Sequence, residues 1–326
     1  MKHIRQRYLD IIKGISILSI TFLHYEDGLL NDYANCFISY FMIAMFYFVS
    51  GWLDAMNGKS LTLKERFRKR WQQLGKPYLY WTIIILTFDL ILYAFGYYNN
   101  YFMAREVYKA AILRGVGTLW FLPALFGGEM LWHMVKHKLW TIVLTVFASY
   151  TYQHFYYLYF SHVEGRLMQI IEAPFRVIYS VTTAYIMIAV GYYSYKIINR
   201  VDARRWIALM IGGLLLTVSF VTLKINTFPH FQSMIECLAL VLLFKELPDG
   251  KLWNYFDYWG RNSLSLMVTH YCITLVLSKI IVTQFLNTEF MGWITIYAFI
   301  ASMIVSYIFT LALNRYFPYL LGKKVK

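Results

Sequence analysis

Charge is in short supply in this chain. Charged side chains make up 15% of its 326 residues, where a soluble domain carries about 25%, while hydrophobic residues reach 59% and aromatics 20%. That balance excludes an ordinary water-soluble domain. Cysteine is scarcer still, limited to Cys36, Cys237 and Cys272. All three lie in or beside apolar blocks, at spacings that suit neither a metal site nor a disulfide framework. His133, His137, His154, His162 and His230 are scattered, with no H-E-x-x-H pattern to join them, so no catalytic metal is expected. No Pro/Gly/Ser-rich linker, internal repeat or polar appendage interrupts the chain, and residues 1–326 read as a single membrane domain. The basic start "MKHIRQRYLDIIKG" is followed by no small-residue cleavage site, so the first apolar block is expected to be a retained span.

What is present is a series of long apolar blocks. A helix needs roughly 17–25 mostly apolar residues to cross a bilayer. Ten stretches qualify: 9–24, 36–54, 77–95, 118–134, 139–159, 174–195, 206–223, 230–245, 263–286 and 290–313. The expected fold class is therefore all-α, a polytopic bundle of about ten transmembrane helices. The formal net charge of +14 points to membrane orientation rather than to nucleic acid, because Lys and Arg gather in cytoplasmic loops. With the N-terminus inside, the inner connections hold 23 of the 31 basic residues, and the outer ones hold Arg105, Lys109, Arg114, Arg166, Arg176 and Lys224. Both termini are thus expected in the cytoplasm. The longest inner connection, 57–76, reads as a basic amphipathic segment suited to anionic headgroups. The longest outer one, 96–117, reads as a short interfacial helix.

The first block, "LDIIKGISILSITFLHYEDG", contains a lysine and a histidine. At about 3.6 residues per turn and 1.5 Å rise, the eleven steps from Lys13 to His24 advance about 16 Å and close about three turns. Both side chains therefore share one face, with Lys13 at the cytoplasmic end and His24 at the outer end. Ionisable groups within spans face cavities or the bundle interior more readily than lipid. A lysine that snorkels and a histidine at the outer interface would give the same spacing. Asp10 is placed to pair with Lys13 as an i, i+3 neighbour. The functional alternative is that His24 takes a proton from a hydroxyl, with Glu26 and Asp27 orienting its ring or stabilising its charged form. Lys13 would then hold an anionic group of a long, thin cosubstrate.

Four stretches, in order, resemble one family. "LDIIKGISILSITFLH" is similar to the first span of the acyltransferase 3 family of integral membrane acyltransferases, with its basic residue, ten residues and a histidine. "YFMIAMFYFVSGWLD" (Tyr40 to Asp54), "GTLWFLPALF" (Gly117 to Phe126) and "WGRNSLSLMVTHY" (Trp259 to Tyr271) resemble its second span, its Leu-Trp-Phe-Leu-Pro segment and its late Gly-basic-x-Ser segment followed by a His. Lys13 stands where Arg is commoner, and the second span lacks the His-Met-Pro of many relatives. The flavour is that of the short glycan O-acetyltransferases, similar to fucose acetylases.

The resemblance implies transfer of an acyl group, by default acetyl, from cytoplasmic acetyl-CoA to a hydroxyl of a surface or lipid-linked glycan, in a bacterial cytoplasmic membrane. Lys13, Arg70, Lys76 and Arg261 would supply charge for the donor, and His24 would act as general base. An acyl-histidine intermediate is the other route. Ser50, Trp120 and Asn262 are candidate oxyanion donors. Glu129, inside the fourth span, is either catalytic or a partner for another span's cation. Arg114 is an interfacial anchor or an acceptor contact, and His270 lines the site, takes part in catalysis or packs in the core. Glu26, Asp27, Arg114, Trp120 and His270 form the candidate substrate-binding set. Glu172 and Arg176 read as a local ion pair, and Glu236 has the same two readings as Glu129. A transporter or flippase of lipid-linked sugars is the alternative from another class. Its usual repeated halves and broken midplane helices are not evident here.

Overall fold

In an apolar solvent the backbone must satisfy its own hydrogen bonds, which favours helix. Every regular element among the described residues is helical. The structure, a computed structural model, describes residues 6–25, 29–57, 61–136, 138–160, 165–199, 205–223, 229–246, 250–277 and 291–323. In chain order the helices are α1 (Arg7–Leu23), α2 (Asp32–Met42), α3 (Ala44–Asn57), α4 (Leu63–Arg70), a π-helical turn (Trp71–Gly75) and α5 (Lys76–Ala94). There follow α6 (Asn100–Ala111), α7 (Phe121–Val135), α8 (Leu139–Phe160), α9 (Arg166–Ile198), α10 (Arg205–Thr222) and α11 (Pro229–Glu246). The last are α12 (Trp253–Arg261), α13 (Ser263–Thr274) and α14 (Met291–Tyr316), before a 3-10 turn at Pro318–Leu321.

Helices lie at each of the ten apolar stretches. Among the described residues, five helical stretches are both long and apolar enough to cross a membrane: Asp32–Asn57, Leu63–Ala94, Arg166–Ile198, Arg205–Thr222 and Ile296–Tyr316. Three of the others fall short for visible reasons, and the end of the stretch 263–286 lies outside the described residues. α1 has 17 residues and α7 has 15, while α8 is long enough but rich in Tyr and carries Gln153 and His154, which lower its hydropathy. Within the basic stretch 57–76, residues 63–76 are helical. Thr62 and Glu65 form a reciprocal capping box that starts α4, and the π-helical turn carries it into α5. The stretch 96–117 does contain a helix, α6, whose first turn is capped by the Asn99 side chain on the Phe102 N–H at 2.9 Å.

The chain forms two compact units: residues 1–59 with 190–311, and residues 60–189 with 312–326. In the first, α1 lies directly against α12. A Cβ on Gly14 would strike the backbone of Phe256, and one on Gly260 the backbone of Asp10. Two glycines thus let the helices touch main chain to main chain. Arg7 secures the start of α1 by donating to the Asn254 side chain at 2.6 Å. Between α10 and α11, Ser219 donates to Glu236 at 2.8 Å, and Gln232 donates to the same carboxylate at 3.0 Å. Glu236 is fully buried, and its network joins two helices, as expected of a carboxylate that pairs rather than reacts.

In the second unit, α9 carries Pro174 in its interior. A proline has no N–H, so the carbonyl four residues earlier loses its helical donor. That carbonyl belongs to Ile170, and the Tyr108 hydroxyl of α6 donates to it at 2.9 Å. A defect in one helix thus anchors another. Further along, the Tyr152 hydroxyl of α8 donates to the Phe175 carbonyl at 2.7 Å.

Candidate active site

The first-helix stripe survives folding. α1 runs unbroken from Arg7 to Leu23, and His24 follows as its C-cap in right-handed helical conformation, φ −76° and ψ −16°. Lys13 and His24 therefore keep the separation of about 16 Å set by the helical rise. At the near end, Lys13 pairs with Asp10 at 2.7 Å. Asp10 is buried on the side where α1 meets Gly260 of α12. Arg261, one residue on, donates through Nε to Asp257 at 2.9 Å. Both expected donor-side cations of this unit thus carry a carboxylate on their own helix.

At the far end, the rings of His24 and His270 stack, with centroids 5.2 Å apart and planes at 29°. His270 is 1% exposed. Its Nδ1 lies 2.9 Å from the Leu266 carbonyl one turn back on α13. A carbonyl only accepts, so Nδ1 donates and Nε2 is left as an acceptor. Nε2 has no hydrogen-bond partner among the described residues. An exposed imidazole is therefore backed by a buried one whose orientation is set by its own helix. Glu26 and Asp27 lie outside the described residues. The Asn262 amide donates to the Tyr258 carbonyl at 3.0 Å, at the end of α12.

The other expected residues lie in the second unit. Arg70, at the end of α4, forms an ion pair with Glu129 of α7 and donates to Gln73 at 2.9 Å. Glu129 is buried at 3% exposure, so the structure brings together a candidate donor ligand and a candidate catalytic carboxylate as one pair. Lys76 is half-buried at the start of α5. Trp120 is the residue just before α7. The segment before it doubles back: Gly115 has φ +77°, and a Cβ there would strike the Trp120 backbone.

Two cavities escape a reading of motifs. One of about 340 Å³ lies in the first unit beside the start of α1, lined by Gln6, Tyr8, Trp52, Tyr195, Asn199 and Lys245. Trp52 donates to the Tyr8 hydroxyl there at 3.0 Å. The other, of about 620 Å³, lies in the second unit between α6 and the first turns of α9 and includes Arg105, Lys109, Arg114 and Arg176 in its wall. Glu106, 2% exposed, sits under two of these cations, 3.1 Å from Arg105 and 2.8 Å from Lys109. Its signal was the pattern Arg-Glu-x-x-Lys in α6, which places both cations beside the same carboxylate. Burial, and next the neighbouring Arg176, hold the Arg114 guanidinium below its ordinary pKa.

A family model described as an acyltransferase domain, that of the acyltransferase 3 family, matches residues 6–315. No curated protein and no solved structure matches the chain.

Proposed function

The chain belongs to the acyltransferase 3 family and is a membrane acyltransferase, and we propose that it moves an acetyl group from cytoplasmic acetyl-CoA to a hydroxyl of a cell-surface or lipid-linked glycan. The observation that carries this reading is the α1 stripe: a held cation and a stacked histidine on one unbroken helix, about 16 Å apart by the rise per residue. An extended thioester arm can bridge such a gap, with its anionic end at Lys13 and its carbonyl near His24.

In this mechanism neutral His24 takes the proton of the acceptor hydroxyl as that oxygen attacks the thioester carbonyl. The carbon–sulfur bond breaks, His24 passes the proton to the departing sulfur, and CoA leaves as the free thiol with the histidine neutral again. His270 acts through His24, since the stack limits the ring to a narrow range of orientations. Asp10 limits Lys13 in the same way, and Glu129 holds Arg70. The cavity beside Tyr8, Trp52 and Lys245 offers aromatic faces and a cation to the nucleotide end of the donor. The chain is read as one membrane domain of about ten spans in a bacterial cytoplasmic membrane, with both termini inside and no nucleic-acid partner.

The test compares surface glycans from cells with and without the protein, by mass spectrometry before and after mild alkali. Loss of an alkali-labile 42-Da acetyl group, about the mass of one added acetyl, is expected. Unchanged acetylation with altered glycan export would overturn the reading in favour of transport.

A further inference from the structure

The cavity between α6 and α9 is crowded with positive charge that the transfer mechanism does not use. Arg105, Lys109, Arg114 and Arg176 all contribute to its wall, against Glu172 in the wall and Glu106 beneath it. The carboxylates are already engaged. Glu106 serves Arg105 and Lys109 together. Glu172 accepts from the Tyr156 hydroxyl and stands 3.6 Å from Arg176. Arg114 makes no ion pair within 4.0 Å among the described residues, although it is largely withdrawn from solvent.

The backbone also holds Arg114 in an unusual place. Leu113 has φ +62°, the one non-glycine residue with positive φ among the described residues, and Gly115 on the other side has φ +77°. A branched side chain in the left-handed region is strained, and such strain gathers at ligand sites. The turn is closed by the Arg114 N–H donating to the Lys109 carbonyl at 2.9 Å. The opposite wall is held to α6 by the bond from Tyr108 to Ile170. Tyr101 and Tyr108 add aromatic surface of the kind that sugar rings pack against.

We propose that this cavity is an oxyanion-binding subsite, in which Arg114, flanked by Arg105, Lys109 and Arg176, holds a phosphate diester or carboxylate carried by the acceptor. It rests on the glycan-acyltransferase reading for its biological role and deepens it: the acceptor is an anionic glycan. On the proposed orientation the cavity opens on the outer side, where such chains lie. An anionic lipid headgroup carries the same chemistry, and the test separates the two sources.

The full chain is reconstituted in nanodiscs of zwitterionic phosphatidylcholine, without any acyl donor. Binding of galacturonic acid pentamer and of maltopentaose is measured by isothermal titration calorimetry at low and moderate salt. The acidic pentamer is expected to bind at least about tenfold more tightly than the neutral one, in a salt-sensitive manner. Arg114→Gln should weaken the acidic pentamer about tenfold or more, and Arg114→Lys should lose less. Arg105→Gln provides a second variant if Arg114→Gln fails to fold, as judged by its elution and melting temperature. Equal binding of the two pentamers, or an acidic pentamer indifferent to folded variants, would overturn the proposal. In nanodiscs with phosphatidylglycerol, retained pentamer binding assigns the site to the glycan. Competition that disappears in phosphatidylcholine assigns it to the headgroup and overturns the anionic-glycan acceptor. No donor is present, so failed transfer chemistry cannot produce these outcomes, and loss of acetylation in cells would leave them unchanged.

Discussion

In the proposed mechanism the chemistry turns on His24 and Lys13, and each has a distinct expected loss. His24→Ala at equal membrane abundance should slow transfer by roughly 10²–10⁴-fold, the usual contribution of a positioned base. Labelled acetyl incorporation measures it, and an unimpaired variant would remove His24 from the mechanism. Lys13→Gln should raise the KM for acetyl-CoA about tenfold, as expected when a charge-assisted hydrogen bond is lost, and leave the acceptor KM in place. A change confined to the acceptor would reverse the assigned polarity of the site. The Lys13–His24 face and the Asp10 pairing were legible in the sequence, because both follow from helical period alone. The His24–His270 stack was not. Its members lie about three quarters of the chain apart, and periodicity fixes the face of a helix without naming what packs on it. Arg70 and Glu129 illustrate the same limit: Glu129 was visible as a charge inside a span and Arg70 as a cation of the basic connection, while their pairing depends on how α4 meets α7.

At the level of elements, two contacts position the candidate site. The crossing of α1 and α12 depends on the missing side chains of Gly14 and Gly260. Gly14→Ala places a methyl group against the Phe256 main chain, which has little freedom to retreat. It should cost at least about 1–3 kcal/mol of stability, the usual penalty for overpacking. A lowered melting temperature in detergent would show it, and an unchanged one would mean that the helices separate without penalty. The Arg70–Glu129 pair joins α4 to α7 in the other unit. Glu129→Gln removes one partner of a mostly buried pair and should cost about 3–5 kcal/mol. Arg70→Gln added to it should cost little more, and a double-mutant cycle of melting temperatures would detect additivity if the two do not interact. The sequence located α1 and α7 through apolar length, which is a local signal. It did not separate out α4 and α12, which fall between the apolar stretches: 57–76 was read as a basic amphipathic connection, and the Thr62–Glu65 box that starts α4 went unused.

For the molecule as a whole, the open quantity is how many times it crosses the bilayer. The five long apolar stretches meet the requirement alone. A ten-span arrangement asks shorter helices such as α1 and α7 to cross as well, and 17 residues reach about 26 Å, close to the thickness of the hydrocarbon core. The native cysteines provide a direct measurement. Cys36 is exposed, whereas Cys237 is buried. With the N-terminus inside and a crossing at 9–24, Cys36 should react with an impermeant maleimide on intact cells. A Lys326→Cys variant should react at its new position only after the membrane is opened. Labelling in the opposite order would invert the orientation, and labelling of Cys36 only after opening would remove the first crossing. Charge asymmetry could suggest this arrangement because insertion reads the same Lys and Arg residues that the sequence displays. The cavities had no such signal, since they arise from the meeting of separate helices.

Pro174 has a consequence for how this protein can be improved or harmed. Alanine there restores the helical donor for Ile170 and favours α9 by as much as about 3 kcal/mol in propensity. The same change makes Tyr108 compete for a carbonyl it now has to itself. A more heat-resistant protein with a slacker cavity is the expected result, visible as a higher melting temperature together with weaker binding of the acidic pentamer. Selection for robustness and selection for acceptor recognition would then pull on one imino ring in opposite directions.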